Sequence, residues 1–363
     1  MHALKVNLDK KASSSYEIRI GSDILDRMAP LIAKNHQAVR HIVISDANVG
    51  ALYGAELVTG LKGVGLSADL LMFPAGEKAK NIKTVIDVSQ KLLELGADRS
   101  SLLIALGGGV VGDLVGFIAS VFMRSVPYIQ IPTTLMAQVD SSIGGKTAID
   151  LPSGKNLLGT FYQPQAVFAD LRYLATLPEK EFHNGLAEII KCSIIDDEKT
   201  FCLLEDNMES VKKKDPALLL KLVESCCRIK KSIVEIDEKE QGLRRILNFG
   251  HTLGHAIEAQ SEYAVAHGEG VALGIIAAVR ISEKMGYLQS LERERIENLV
   301  ARAGLPVRLG MALSSEGIRA RLKMDKKKKG DVIHFVLLKK IGMPFINGGI
   351  EEKVIADVLE GMK

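Results

Sequence analysis

The sequence predicts an α/β chain in two parts, a first half built around a mainly parallel sheet and a second half that is helical. Three observations predict this. Short runs rich in Val, Ile and Leu alternate with helical stretches through the first half. Strand signals fade after about residue 175. The 363 residues correspond to roughly two domains at about 150 residues each.

Four segments read as strands: HIVISD (41–46), SADLLMFP (67–74), SLLIAL (101–106) and VPYIQIP (126–132). Each is brief, apolar and bounded by turn residues. Between them NIKTVIDVSQKLLELG carries apolar residues at helical spacing and ends on Gly96, a C-cap candidate. Strands separated by helices imply βαβ units and hence parallel pairing. Leu174-Ala175-Thr176-Leu177-Pro178 reads as the hinge, giving domains over 1–174 and 175–363. Beyond it EFHNGLAEIIKCSII, DPALLLKLVESCCRIKKSIVEIDE, FGHTLGHAIEAQ and GVALGIIAAVRISEKMG all fit the 3.6-residue period. Asp215-Pro216 is a start signal, a capping side chain followed by proline at the first helical position. There is no internal repeat, and the lysine run 326–329 reads as a solvated loop.

Composition narrows the function. A chain 47% hydrophobic and 25% charged is neither disordered nor collagen-like. Forty-seven basic against 44 acidic residues leave a formal charge of +3, too balanced for a dedicated nucleic-acid binder. The N-terminus has no continuous apolar core of signal-peptide type, and the four cysteines (Cys192, Cys202, Cys226, Cys227) show no CxxC spacing. They read as reduced thiols of a cytoplasmic protein. Residues 101–123 carry one charge, Asp113, and are long enough to span a membrane. Three consecutive glycines would break that helix, so a strand, a turn and a helix are expected instead, with no membrane partner.

Chemistry begins at that turn. Gly107-Gly108-Gly109-Val110-Val111-Gly112 follows a strand, opens a helix and satisfies GxGxxG. Glycines there let the backbone approach a pyrophosphate at a helix N-terminus, although glycine turns after strands are also commonly structural. Gln130 stands near where an acidic ribose contact would be expected. Asp46, at the end of an earlier strand, is either that contact or a turn residue. Glu77 and Lys80 in GEKAK follow another strand. Lys146 and Lys155 lie beside glycines, with Asp140 and Asn156 nearby, a combination that suits an anionic group.

The helical half suggests metal ligands. His251 and His255 are one turn apart, His267 sits in a glycine-rich stretch read as an accessible turn, and Glu188 precedes Lys191 by one turn. Two imidazoles and a carboxylate suit a catalytic zinc. The spacing 188, 251, 267 matches no short zinc motif. The bland reading leaves the histidines as hydrogen-bonded helix residues and Glu188–Lys191 as an exposed ion pair.

Together, GGGVVGDLVGFIAS, PTTLMAQVDSSIGGKTAID, GKNLLGTFYQP, NGLAEIIK, LNFGHTLGHAIE and HGEGVALG resemble, in order and spacing, the 3-dehydroquinate synthase family of sugar-phosphate cyclases. The resemblance runs from about Asp46 to Lys327. It implies a Rossmann-like N-terminal domain, a helical C-terminal domain and an active site in the cleft between them. It also implies NAD and one divalent metal, zinc or cobalt, as cofactors. The implied reaction converts 3-deoxy-D-arabino-heptulosonate 7-phosphate to 3-dehydroquinate and phosphate. Its steps are transient oxidation, phosphate elimination, re-reduction and internal aldol closure.

Residue by residue, the resemblance implies metal ligation by Glu188, His251 and His267. Substrate-site roles are implied for Asp140, Lys146, Asn156, Lys191, Lys230, Arg244, Asn248 and His255. NAD contacts are implied for Asp46, Glu77, Lys80, Gly109, Gly112, Asp113, Thr133 and Thr134, with Lys146 and Lys155 beside them. Arg124 in FMRSV resembles an arginine that reaches the neighbouring subunit's phosphate site, so a homodimer is implied. Ser125 stands where glycine is more usual, and His183-Asn184 are particular to this chain. Lys326 or Lys327 is a candidate for a further phosphate contact. The rival enzyme is a metal- and NAD-dependent alcohol dehydrogenase of glycerol dehydrogenase type, which would not need so many anion-binding residues. A sister cyclase would differ by a few site residues. A catalytically dead scaffold would have lost a ligand position, and none is lost.

Overall fold

The apolar runs of the first half become strands of one seven-stranded sheet. The computed structural model describes residues 1–8, 15–196, 198–329 and 333–363, which divide into two compact units, Met1–Leu177 and Pro178–Lys363.

In the first unit the sheet strands are β1 (His2–Val6), β2 (Tyr16–Gly21), β3 (His41–Asp46), β4 (Ala68–Phe73), β5 (Leu102–Gly107), β6 (Tyr128–Pro132) and β9 (Ala166–Asp170). The intervening β7 (Lys146–Leu151) and β8 (Gly154–Phe161) form a separate antiparallel hairpin. The sheet order is β1-β2-β9-β6-β5-β3-β4, and every neighbouring pair except β1–β2 is parallel. The longer helices that accompany it are α1 (Leu25–Asn35), α2 (Ala55–Gly63), α3 (Ile82–Glu94) and α4 (Gly109–Val121).

Both faces of the sheet are covered. Leu103 and Ala105 of β5 pack with Val85, Val88 and Leu92 of α3 and Val111, Leu114 and Ile118 of α4. Leu102, Ile104 and Leu106 point the other way, onto Met28 and Ile32 of α1 and Leu57 and Leu61 of α2. A strand buried on both faces has no polar side, so it reads as an unbroken apolar run rather than an alternation. The C-cap signal holds: Gly96 takes a φ of +73° just beyond α3, where glycine avoids the Cβ penalty. At the other end Asn81 caps α3 by accepting from Thr84 N–H at 3.0 Å.

Residues 101–123 resolve into β5, the glycine turn and α4. Among the described residues no helix is long and apolar enough to cross a membrane. The glycines of the turn are required by close approach, not by unusual backbone angles: Gly108 has a φ of −75°. A Cβ on Gly107 would lie 2.3 Å from Val111 Cγ2, on Gly108 2.8 Å from Thr134 Cγ2, and on Gly112 2.6 Å from Gln130 Oε1.

The second unit is helical: α5 (Glu179–Asp196), α6 (Glu198–Lys212), α7 (Pro216–Ile236), α8 (His251–Gln260), α9 (His267–Lys284), α10 (Ser290–Arg302), α11 (Ser315–Lys329) and α12 (Glu352–Glu360). One antiparallel hairpin, β10 (His334–Leu338) with β11 (Pro344–Gly348), interrupts them. Asp215 caps α7 by accepting from Leu218 N–H at 2.9 Å. Lys326 and Lys327 lie on the last turn of α11, not in a loop; their side chains fall outside the described residues. None of the four cysteines is in a disulfide, and three of them are buried.

Candidate active site

In the first unit, four adjacent parallel strands deliver the expected nucleotide contacts to one edge. Asp46 ends β3, Gly107 ends β5, Thr133 and Thr134 follow β6, and Glu77 and Lys80 follow β4. Open α/β sheets bind ligands at this carboxyl edge. Asp46 does serve as a turn residue: its Oδ1 accepts from Asn48 N–H at 2.8 Å and Val49 N–H at 3.1 Å. Helix α4 opens at Gly108 without a side-chain cap, so its first N–H groups suit an anion. The buried Thr133 hydroxyl beside it lacks a hydrogen-bond partner. An uncapped helix start, a glycine approach and an orphaned hydroxyl fit the phosphates of a dinucleotide.

A polar cluster joins this edge to the β7–β8 hairpin. Lys80, 4% exposed, places its Nζ 2.6 Å from Asp113 Oδ2 and 2.5 Å from Asn156 Oδ1. Burial works against the charge on Lys80, but Asp113 outweighs it and the pKa rises above its ordinary value. Asn156 has a φ of +56° and its N–H donates to Asp150 Oδ1 at 2.8 Å. Asp150 N–H in turn donates to Lys80 O at 2.8 Å. Lys155 Nζ lies 3.7 Å from Glu77 Oε1. Five expected site residues therefore meet here, with Asp150 as a link the sequence did not signal. Lys146 is exposed at the start of β7, Asp140 is half-buried, and Arg124 is exposed in a segment where Met123, Arg124 and Ser125 all have positive φ.

In the second unit the helices α8 and α9 touch through glycines. A Cβ on Gly254 would lie 2.8 Å from Gly270 O, and one on Gly274 1.7 Å from Gly250 O. The glycines of HGEGVALG are thus helix-contact residues, and His267 is the first residue of α9 rather than part of an accessible turn. The contacts run antiparallel, Gly250 with Gly274 and Gly254 with Gly270, so the start of α9 lies beside the later turns of α8. The His251 and His267 ring centres are 5.4 Å apart, and His255 lies 5.3 Å and 6.0 Å from them.

Glu188, on α5, completes the group. Its Oε1 lies 3.4 Å from His251 Nε2 and 3.5 Å from His267 Nε2, and its Oε2 is 2.5 Å from Lys191 Nζ. The pair Glu188–Lys191 is fully buried, so it is not an exposed surface bridge. Burial opposes ionisation of Glu188 most, but Lys191 and then His251 and His267 outweigh it and hold its pKa well below the usual range. Burial would likewise lower His267, yet Glu188 and Glu258 on either side raise it to about 10.

These residues fit a metal. His251 Nδ1 faces Phe249 O at 3.1 Å and His267 Nδ1 faces Glu258 Oε1 at 3.0 Å. Both partners can only accept, so each Nδ1 carries its proton and Nε2 is the ring atom left to ligate a metal. Both Nε2 atoms face one carboxylate oxygen, an arrangement in which a metal ion can take the place of the Nε2 protons. Donors bound to tetrahedral zinc at about 2.0–2.1 Å sit about 3.3 Å apart, close to the 3.4 and 3.5 Å seen here.

The remaining expected residues surround buried charge. Lys191, Lys230 and Arg244 are each at most 6% exposed. Cys226 of α7 hydrogen-bonds with Cys192 of α5, and Lys230 follows Cys226 by one turn on the same face. Arg244 sits in a loop organised by Asp237, which accepts from the N–H groups of Gln241, Gly242 and Arg244 at 2.9, 2.7 and 3.0 Å. The Arg244 guanidinium donates to Glu238 O, and Asn248 Nδ2 to Glu240 Oε1 at 2.5 Å. Asp237, Glu240 and Glu258 escape sequence reasoning, because a lone carboxylate in a polar loop or on a helix carries no pattern. Asn184 is another: its Oδ1 accepts from Gly268 N–H at 3.2 Å, which ties α5 to the start of α9.

Comparison with known proteins agrees with this architecture. The 3-dehydroquinate synthase N-terminal profile matches residues 70–184 and the C-terminal profile residues 185–328. A 3-dehydroquinate synthase of Acidithiobacillus ferrooxidans is 43% identical over 364 residues, 99% of this chain and 98% of that protein. One from Desulforamulus reducens is 42% identical over 360 residues, covering 99% of both. Among solved structures, a 2-deoxy-scyllo-inosose synthase complexed with carbaglucose-6-phosphate, NAD+ and Co2+ superposes with a TM-score of 0.90 at 26% identity over 100% of both chains. The 2-epi-5-epi-valiolone synthase of Streptomyces hygroscopicus, with NAD+ and Zn2+ bound, gives 0.89 at 28%, over 98% of this chain and 99% of that one. Glycerol dehydrogenase from Schizosaccharomyces pombe shares the fold, with a TM-score of 0.66 at 16% identity over 95% of this chain and 88% of its own. Matched by both domain profiles and by full-length relatives above 40% identity, the chain belongs to the 3-dehydroquinate synthase family.

Proposed function

We propose that the chain converts 3-deoxy-D-arabino-heptulosonate 7-phosphate to 3-dehydroquinate and phosphate, acting as a carbon–oxygen lyase. What supports this most is one feature of the second unit, a three-donor metal cluster accompanied by the buried cations Lys191, Lys230 and Arg244. An alcohol dehydrogenase acting on a neutral polyol has no use for that much buried positive charge. A substrate with a phosphate and a carboxylate does.

Glu188, His251 and His267 would hold zinc or cobalt. Asp46, Glu77, Lys80, Gly109, Gly112, Asp113, Thr133 and Thr134 would hold NAD, with Lys146 and Lys155 near its phosphates. When bound, NAD supplies reversible hydride removal and the divalent metal supplies Lewis acidity toward a substrate hydroxyl.

The chain's own groups do the rest. Lys191 pairs with Oε2 of Glu188 and leaves Oε1 for the metal. Arg244 and Lys230 pair with the substrate carboxylate, and Asp140 and Asn248 orient its hydroxyls. His255, one turn beyond His251, takes and returns the hydroxyl proton. Lys146 and Asn156 bind the phosphate, together with Arg124 of the partner subunit in a homodimer. Charge-assisted contacts of this kind contribute about 1.5–3 kcal/mol each when sheltered.

The test is direct. Purified protein supplied with NAD, zinc and the heptulosonate phosphate should release phosphate and 3-dehydroquinate in equal amounts. Release of neither, or turnover only of a different sugar phosphate, would overturn the assignment.

A further inference from the structure

We infer that Glu258 is a positioning residue: it fixes the tautomer and orientation of His267, and through them the affinity of the Glu188–His251–His267 site for its divalent metal. The inference rests on the metal-binding part of the function proposed above and adds a residue to it.

The two imidazoles are anchored differently. His251 Nδ1 is held by the carbonyl of Phe249, two residues away in the same segment. His267 Nδ1 is held at 3.0 Å by the carboxylate of Glu258, which comes from another helix, α8. A carboxylate accepts and cannot donate, so the proton stays on Nδ1 and Nε2, which faces Glu188 at 3.5 Å, is the atom left to ligate. Partners of this kind also raise the basicity of a ligating imidazole.

The fold makes room for this contact. Glu258 is 5% exposed, an unusual place for a carboxylate unless it has a partner. A Cβ on Gly270 would lie 2.9 Å from Glu258 Cγ and 3.1 Å from its Oε1. Glycine at 270 therefore leaves the space in which the carboxylate reaches His267. The same carboxylate lies within a 4.8 Å group that includes His255, so a second metal on His255, Glu258 and His267 is the competing use of these atoms. That use would strip the Nδ1 proton on which the positioning role depends.

The test measures metal affinity without substrate. Cobalt(II) is titrated into the metal-stripped full-length chain and into Glu258→Gln and Glu258→Ala, with a competing chelator and the cobalt ligand-field spectrum as readouts. Wild type should bind one equivalent. Glu258→Ala should bind about 10–100-fold more weakly with a changed cobalt spectrum. Glu258→Gln should fall between, because its amide oxygen still accepts from Nδ1. Unchanged affinity in a folded Glu258→Ala chain would overturn the inference, as would two equivalents in wild type or none.

If neither variant folds, side-chain ¹H–¹⁵N spectra of the zinc-loaded wild type decide. A slowly exchanging, hydrogen-bonded proton on His267 Nδ1 is expected, and an unprotonated Nδ1 would refute the role. A chain with the predicted affinities but no turnover of the heptulosonate phosphate would remove the proposed function and leave the role of Glu258 supported.

Discussion

Gly274 lies so close to Gly250 that a Cβ on Gly274 would stand 1.7 Å from the Gly250 carbonyl oxygen. The obstacle is backbone, which cannot swing aside as a side chain can. This contact sets the spacing of α8 and α9, and with it the distance between His251 and His267. Gly274→Ala should therefore cost about 3 kcal/mol or more, the upper range for overpacking, and should lower metal content as well. Gly310→Ala is the control, since nothing lies within 4 Å of a Cβ there. Urea unfolding and metal analysis of both variants check this; equal stabilities would contradict the helix-contact explanation.

A second prediction concerns backbone strain. Ser125 holds a φ of +107°, a region that favours glycine and is costly for any residue with a Cβ. Ser125→Gly should stabilise the chain by about 1 kcal/mol, the relief of strain exceeding the entropy that glycine adds to the unfolded state. Ser125→Ala should gain nothing, because it keeps the Cβ. The midpoints of denaturant unfolding distinguish the two. A glycine variant less stable than wild type would show that the Ser125 side chain contributes more than its backbone costs.

Removing a ligand should separate metal from fold. His251→Ala leaves Glu188 and His267 in place but only two donors, so bound zinc should drop to a small fraction of wild type and turnover with it. The circular dichroism of the apo protein should be unchanged. Full metal content in this variant would refute the assignment of Glu188, His251 and His267.

The proposed sharing of a site between subunits predicts complementation. Arg124→Ala and Lys146→Ala should each be nearly inactive as homodimers. In a mixed dimer, one site would receive both defects and the other neither. Mixing the two after subunit exchange should restore up to about a quarter of wild-type activity, from half the dimers being mixed with one intact site each. No recovery, with exchange shown independently, would count against Arg124 acting in trans.

What can be read from the sequence follows from where each signal is stored. Strands β3, β5 and β6 are legible because their burial on both faces is written locally as apolar runs, and β4, at the sheet edge, because it is still rich in Leu, Met and Phe. Strand β9 is not: Ala166–Asp170 is fully buried, but five residues with two alanines give little contrast with the loops around them. Strands β7 and β8 read locally only as glycine-rich anion-binding stretches. In fact Gly159 is there because a Cβ would meet Thr147 O at 2.2 Å. The helix-contact glycines of α9 likewise resemble a turn, since close approach depends on a partner helix that local sequence does not name. Residue type offers Glu188, His251 and His267 only as candidate donors, since no spacing rule links three separate helices, and the family resemblance is what joins them. Glu258 carries no signal because its neighbours Gly270 and His267 lie on another helix, which local sequence does not name.

Whether NAD returns the hydride it removes decides between a cyclase and a dehydrogenase, and a single labelling experiment answers it. Substrate deuterated at C5 is turned over with NAD present at far less than one equivalent. A cyclase should release many phosphates per NAD, accumulate no NADH and keep the deuterium in the carbocyclic product. That is the result expected of this chain. A dehydrogenase on the same fold would stop after one turnover per NAD, with NADH growing in step with product and the label passed to the cofactor. Such an outcome would contradict the proposed function.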